Sequence, residues 1–127
     1  MIEKSPATKD LSRQTAIPAE WRETLKAIVD AFVEQDYRLA RGISGTAQLN
    51  DELAHLIAAN IADYGMHLIY LPAQSWNTSA CQWMGTYWDL FVDLFTEEEG
   101  ASDLALSVRV REGPDGYVFQ VKSVYVP

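Results

Sequence analysis

Hydrophobic residues in the first half of the chain recur at spacings of three and four, which is the period of an amphipathic helix. One such segment extends from Pro18 to Gln35. Its apolar stripe comprises Trp21, Leu25, Ile28, Val29, Phe32 and Val33. A second segment begins after Asn50, a good N-cap residue, and Gly65 is suited to end it in a left-handed conformation. The pattern therefore predicts two N-terminal helices, separated by a turn at residues 36–45.

The second half of the chain alternates between apolar and polar residues, as half-buried strands require. The longest alternating run extends from Gln82 to Phe95, and we interpret it as one strand. Its even positions predict a core face: Met84, Thr86, Trp88, Leu90, Val92 and Leu94. Its odd positions interleave rings with carboxylates: Trp83, Gly85, Tyr87, Asp89, Phe91, Asp93 and Phe95. A face of this composition indicates a covering element or a binding partner.

Three further strands are predicted from the same alternation. Residues Met66 to Leu71 form a short strand that Pro72 ends. Residues 104–111 and 117–126 form two more strands, joined by a turn of glycine and proline residues at 113–116. An acidic turn, residues 96–103, connects the long strand to the strand that follows it.

The register of these strands follows from aligning their apolar faces. This alignment predicts the pairs Val110–Phe119, Val108–Val121, Leu104–Tyr125, Leu90–Val108 and Asp89–Arg109. Asp89 is therefore interpreted as the partner of an arginine and not as a catalytic acid. We predict an α+β fold, in which two N-terminal helices pack on an antiparallel sheet of about four strands that ends in a meander. A flexible tail, residues 1–16, precedes this single domain, residues 17–127.

The overall charge limits the partners that the protein is expected to bind. The chain has 127 residues, a net charge of −8 and a pI near 4.6. An acidic surface repels phosphate backbones and anionic lipid, so neither nucleic acid nor a membrane is expected as a partner. The N-terminus lacks the apolar segment of a signal peptide, and no apolar run reaches the roughly 18 residues of a membrane span. A cytoplasmic location is expected.

No sequence pattern indicates an enzyme, a metal or a cofactor. The spacing of carboxylates in the acidic turn does not match a calcium-binding loop, which leaves a solvated turn or a contact patch for a basic partner. Cys81, the only cysteine, has no nearby positive charge that would lower the pKa of its thiol, so it is interpreted as a small buried residue. His55 is expected at the surface. The phosphate-loop, HExxH and GxSxG motifs are absent.

Exposed aromatic rings beside carboxylates are suited to binding a basic protein, since rings provide buried anchors and acidic groups provide orientation. The candidate partner-binding residues are Trp83, Tyr87, Phe91, Asp93, Glu97, Glu98, Glu99 and Asp103. Two alternatives remain open. One is a small-molecule or enzymatic pocket between the first helix and the sheet, with polar groups from Tyr37, Arg38, Arg41 and His67. The other is a homodimer that covers the aromatic face.

The central stretch CQWMGTYWDLFVDLFTEEEGASDLALSVRVRE, with IVDAFVEQDYRLARGI and the terminal VYVP, carries a resemblance. It resembles a family of small, functionally uncharacterised bacterial proteins that share a core of the form CQWMGxxWDxxVDLxTEEEGxSDL. By size, acidity and architecture the chain is also similar to immunity proteins, including those of contact-dependent growth inhibition. That likeness implies a cytoplasmic, non-enzymatic protein that binds a cognate toxin C-terminal domain, usually a basic nuclease. It assigns no residue a role.

Overall fold

The computed structural model describes residues 7–127, and these form two helices followed by a four-stranded sheet. The elements in chain order are α1 (Ala19–Val33), α2 (Asp51–Tyr64), a short 3-10 helix (Ala73–Asn77), β1 (Ala80–Trp83), β2 (Trp88–Thr96), β3 (Gly100–Gly113) and β4 (Gly116–Tyr125). The strands lie in the order β1-β2-β3-β4, and each is antiparallel to its neighbours. The predicted α+β fold, with two N-terminal helices and an antiparallel sheet of about four strands that ends in a meander, is therefore confirmed.

Both helices begin and end close to the predicted residues. The side-chain oxygen of Asn50 accepts the backbone N–H of Leu53 at 2.8 Å, and Gly65 ends α2 with a φ of 81°. Residues of α1 bury their apolar stripe against one face of the sheet, where the Trp21 ring meets Trp88 edge-on at 5.2 Å between centroids. This face of the sheet carries the hydrophobic core. Over residues 7–127, no helix is both long enough and apolar enough to span a membrane.

The prediction of one long strand from Gln82 to Phe95 was wrong, because the segment is a hairpin. The chain reverses between Trp83 and Trp88, and the backbone N–H of Met84 donates to the Tyr87 carbonyl at 2.8 Å. Gly85 has a φ of +100°, which suits glycine and lies outside the strand region. Met84, expected in the core, is 46% exposed in this turn. The alternation of apolar residues continues across the turn, so the sequence pattern does not indicate where the strand ends.

The predicted strand Met66 to Leu71 was also wrong. The structure has one isolated bridge there, between Leu68 and Thr96. Two backbone hydrogen bonds flank it, from Ile69 N–H to the Phe95 carbonyl and from Glu97 N–H to the His67 carbonyl, at 3.0 and 2.8 Å. Since β1 pairs with the first half of β2, only the far end of β2 is left for this segment.

Four of the five predicted cross-strand pairs are confirmed: Val110–Phe119, Val108–Val121, Leu90–Val108 and Asp89–Arg109. The fifth was wrong by one residue. A bulge at Ser107 and Val108 shifts the register, so that Ala105 and not Leu104 lies opposite Tyr125.

Both edges of the sheet are occupied in part by other segments of the chain. Thr15 exchanges two backbone hydrogen bonds of 2.8 Å with Cys81 along the outer edge of β1. On β4, the Phe119 N–H donates to the Gly45 carbonyl at 2.8 Å, and the Asn60 amide donates to the Val124 carbonyl at 2.9 Å. These contacts limit the pairing of a further strand at the positions that they occupy.

Residues 7–16, part of the predicted flexible tail, contact the sheet at its β1 side. The Thr8 carbonyl accepts the indole N–H of Trp88 at 2.9 Å, and Lys9 pairs with Glu112 at 2.8 Å. The first six residues of that predicted tail lie outside the described residues.

Candidate functional site

The sheet face opposite the helices forms the centre of the candidate site. On β3, odd-numbered residues of this face alternate with buried Leu104, Leu106, Val108 and Val110. On the side of the sheet away from the helices, we call the part formed by β2, β3 and β4 the open face. It comprises Tyr87, Asp89, Phe91, Asp93, Ala105, Ser107, Arg109, Arg111, Val118, Gln120, Lys122, Ser123 and Tyr125.

Arginines dominate the end of the open face near Tyr87. Arg109 pairs with Asp89 at 3.2 Å, as the register predicted, and both side chains are about three-quarters buried. The guanidinium of Arg109 lies 3.9 Å from the centroid of the Tyr87 ring, and that of Arg111 lies 5.6 Å from it. Tyr87 therefore serves as a stacking surface for the chain's own arginines, which is a cation-π arrangement.

Trp83 does not belong to the open face, and its assignment beside Tyr87 and Phe91 was wrong. The hairpin turn places Trp83 opposite Trp88, on the core side of the sheet. The two rings pack at 4.6 Å between centroids, and the ammonium of Lys9 lies 5.2 Å above the Trp83 ring. Phe95, also expected on the aromatic face, is only 5% exposed. Two partly exposed rings of the predicted four, Tyr87 and Phe91, therefore remain there.

The acidic turn lies between β2 and β3, with Glu97, Glu98 and Glu99 all exposed. Glu98 contacts His67 twice, because its carboxylate accepts the backbone N–H at 2.8 Å and also meets the ring Nδ1. These hydrogen bonds lower the pKa of Glu98, and the carboxylate raises the pKa of His67. The side chain of Glu98 is thus held against the segment that follows α2.

Tyr64, at the end of α2, holds the other side of the acidic turn. Its hydroxyl donates to Glu99 at 2.6 Å and accepts the backbone N–H of Asp103 at 3.0 Å. The hydrogen bond to Glu99 raises the pKa of the Tyr64 phenol. Together with Asp63, the preceding residue of α2, these groups gather carboxylates at one end of the molecule.

We call this region the acidic end, and it comprises Asp63, Glu97, Glu98, Glu99 and Asp103. Within residues 7–127, lysines and arginines pair with other carboxylates: Lys9 with Glu112, Arg13 with Asp10, Arg38 with Asp51, Arg41 with Glu34 and Asp36, and Arg109 with Asp89. The only ion pair found there at the acidic end joins Glu98 to His67. The acidic end is therefore a concentration of negative charge that the described cations do not offset.

A cleft of about 420 Å³ opens beside the acidic end. Apolar side chains line part of it, and Asp63 and Tyr64 supply the polar part: the lining is Asn60, Asp63, Tyr64, Leu104, Tyr125 and Val126. An apolar wall next to a carboxylate suits the aliphatic stem and charged tip of a lysine or arginine side chain.

The four polar side chains proposed for a small-molecule pocket do not converge. Tyr37 lines one cleft with Arg38 and another with His67, whereas Arg41 lines a third, so none of these clefts brings all four side chains together. Arg38, Arg41 and His67 are each engaged with a carboxylate of the chain itself.

The described residues also offer little for nucleophilic or metal chemistry. Cys81 is 1% exposed, and burial raises the pKa of its thiol to about 11, so the thiol is neutral and shielded at physiological pH. In residues 7–127, no three histidine, cysteine, aspartate or glutamate side chains are grouped so that they could hold a metal ion. His55, as predicted, is exposed.

The structure thus divides the eight predicted partner-binding residues. Tyr87, Phe91 and Asp93 share the open face, whereas Glu97, Glu98, Glu99 and Asp103 lie at the acidic end and Trp83 lies in neither. Sequence reasoning did not place Asp63, Tyr64 or His67 at the partner-binding surface, and it proposed His67 only for the alternative pocket. The contacts of Tyr64 with Glu99 and of His67 with Glu98 join residues 35 and 31 positions apart, so no local pattern indicates them.

Comparison with known proteins gives one match. No curated protein and no solved structure matches the chain. A family model, described as a domain of unknown function (DUF7668), matches residues 29–127, from the middle of α1 to the last residue. This match confirms the expectation of an uncharacterised family, whereas the likeness to immunity proteins stays a proposal. The match covers more than half of the sequence, and the chain therefore belongs to the DUF7668 family.

Proposed function

We propose that this protein is a non-enzymatic binding protein that uses its acidic end to dock a basic protein. More specifically, we propose an immunity protein that neutralises a cognate bacterial toxin domain in the cytoplasm. The observation that carries the proposal is the acidic end itself, where five carboxylates gather without a lysine or arginine partner among residues 7–127. Such a charge distribution accelerates encounter with a basic partner and fixes its orientation.

The acidic end is also held in place, which favours a docking role over a merely solvated turn. Glu98 is fixed by His67, and Glu99 is fixed by Tyr64, so the turn is tied to the end of α2 at two points. A preordered surface loses less conformational entropy when it binds. The adjoining cleft then accepts one long basic side chain of the partner, with its cation near Asp63.

The direct test is co-expression of this chain with the C-terminal domain of the large open reading frame beside its gene. We expect the neighbouring domain alone to stop growth, and the pair to grow and to co-purify. Harmlessness of the neighbouring domain, or failure of the pair to form a complex, would overturn the immunity function.

A charge-reversal series assigns the contact to the acidic end. Glu97→Lys and Asp63→Lys alter exposed side chains for which no hydrogen bond is found among the described residues, so the fold is expected to persist. We expect each to weaken toxin binding at least tenfold, and we expect wild-type binding to decline with added salt. Glu23→Lys makes the same charge change on the exposed face of α1 and is the matched control. Equal loss in all three variants would attribute the effect to net charge and not to the acidic end.

A further inference from the structure

The open face offers a second interaction surface, distinct in charge from the acidic end. It carries three cations, Arg109, Arg111 and Lys122, and two carboxylates, Asp89 and Asp93, which gives 3 − 2 = +1. The whole chain carries −8. Two copies of this acidic protein therefore repel each other less when their open faces meet than their net charge alone implies.

Opposite charges lie unmatched at the two ends of the open face. In its middle, Arg109 and Asp89 neutralise each other. Arg111, at one end, hydrogen-bonds the neutral side chain of Gln120 and has no carboxylate partner among residues 7–127. Asp93, at the other end, has a side chain that likewise forms no ion pair in that range. The two ends of the face are marked by Tyr87, which directly precedes β2, and by Asp93 within β2. These two residues are six positions apart, which is about 20 Å along the strand.

We propose that the open face binds the open face of a second copy of this chain, about a two-fold axis that crosses the strands between the Arg109 and Ser107 levels. This operation exchanges the two ends of the face. It places Arg111 of each copy over Ala105 of the other copy. In that other copy, Asp93 lies beside Ala105 on the adjacent strand, one strand spacing of about 4.8 Å away. Two equivalent ion pairs then form, as an isologous interface requires.

The residues at the centre of the face permit such close approach. Ala80, Ser107 and Ser123 lie in one cross-strand row with Phe91, so the ring is the only large side chain of that row. Ala105 is also small, so its own side chain does not project toward the arginine of the partner. Other segments of the chain occupy part of each sheet edge, which favours this face over an edge for a second copy.

The size of the face sets the expected strength. Three strands at about 4.8 Å and four rows at about 6.7 Å give roughly 400 Å² in projection, below the ~800 Å² per partner of a standard interface. We therefore expect weak self-association, with Kd on the order of 10–100 µM. Sedimentation velocity of the full chain from about 5 to about 500 µM covers the transition from monomer to dimer.

Charge exchange tests the pairing directly. Arg111→Glu alone and Asp93→Lys alone each place like charges together in the homodimer, so both variants are expected to sediment as monomers throughout. An equimolar mixture of the two is expected to dimerise, because the introduced glutamate then faces the introduced lysine, and the remaining native Arg111 faces the remaining native Asp93. A monomeric mixture, or an Arg111→Glu variant that dimerises like the wild type, would overturn the proposal. A wild-type chain that stays monomeric up to about 500 µM would overturn it as well.

Cross-linking locates the axis independently of charge. Ser107→Cys lies close to the axis, and a short bismaleimide is expected to join two copies at high yield. The wild type, whose Cys81 is buried, and Lys26→Cys on the exposed side of α1 are controls that should not cross-link. Cross-linking equal to that of Lys26→Cys would contradict the face-to-face arrangement.

The two proposals fail separately. Charge reversal at Glu97 and Asp63 addresses toxin binding without touching Arg111, whereas the mixture experiment needs no toxin. If Arg111→Glu weakened toxin capture while the wild type stayed monomeric, the open face would be a toxin-binding surface and the dimer would be refuted.

Discussion

Replacing Gly85 by alanine tests the turn that separates β1 from β2. Gly85 has a φ of +100°, a conformation that an L-amino acid with a Cβ disfavours by about 1–2 kcal/mol. A Cβ built at this position meets no atom within 4 Å, so no steric clash adds to that conformational penalty. We therefore expect Gly85→Ala to lower the free energy of unfolding by about 1–2 kcal/mol.

Urea denaturation measures this loss, and we expect the m-value to stay unchanged. The loss in free energy of unfolding corresponds to a decrease in Tm of roughly 3–8 °C. Thr86→Ala, in the same exposed turn, is the control and should stay within about 0.5 kcal/mol of the wild type. A continuous strand makes the opposite prediction for Gly85, because alanine restricts the unfolded chain and stabilises by about 0.4–1 kcal/mol where φ is compatible. An unchanged or increased stability of Gly85→Ala would refute the hairpin.

Two further predictions concern the thiol and the histidine. Cys81 should resist alkylation in the native protein at pH 8 and react at once in urea, since burial raises the pKa of its thiol to about 11; native reactivity equal to that of a surface cysteine would contradict this. By NMR, the pKa of His67 should lie above the ordinary value of a histidine, and Glu98→Gln should bring it back down. Since the pKa of His67 is raised and that of Glu98 is lowered, their contribution to stability is greatest between about pH 4.5 and 6.5. It is lost as pH rises through the folded pKa of His67 or falls through that of Glu98.

The elements that the sequence predicted well have local determinants. Asn50 caps α2 and Gly65 ends it, and each acts within four residues of its own position. The turn at residues 113–116 likewise fixed the pairing of β3 with β4 near Val110 and Phe119. Farther along the same strands the prediction for Leu104 failed, because a bulge depends on packing that alternation does not reveal.

The hairpin was missed because two signals conflicted. The alternation of apolar residues through Met84 and Thr86 favoured a continuous strand, whereas Gly85 was a turn signal in a run of otherwise strand-forming residues. The reversal changes which residues share a face. Trp83 and Trp88 have opposite parity along the chain, yet they lie opposite each other on the core side. Because the turn at Gly85 was missed, Trp83 was predicted at the binding surface although it lies on the core side of the sheet.

The uneven charge of the molecule gives the two proposed interactions different responses to salt. Toxin binding at the acidic end is attractive at long range, so added salt weakens it throughout. Self-association through the open face combines two effects, because the Arg111–Asp93 pairs attract while two chains of net charge −8 repel. Salt up to about 0.15 M, where the Debye length is about 8 Å, screens the distant charges more than the paired ones. Self-association is thus expected to strengthen with the first additions of salt and toxin binding to weaken, and parallel weakening of both would indicate that one acidic surface carries the two interactions.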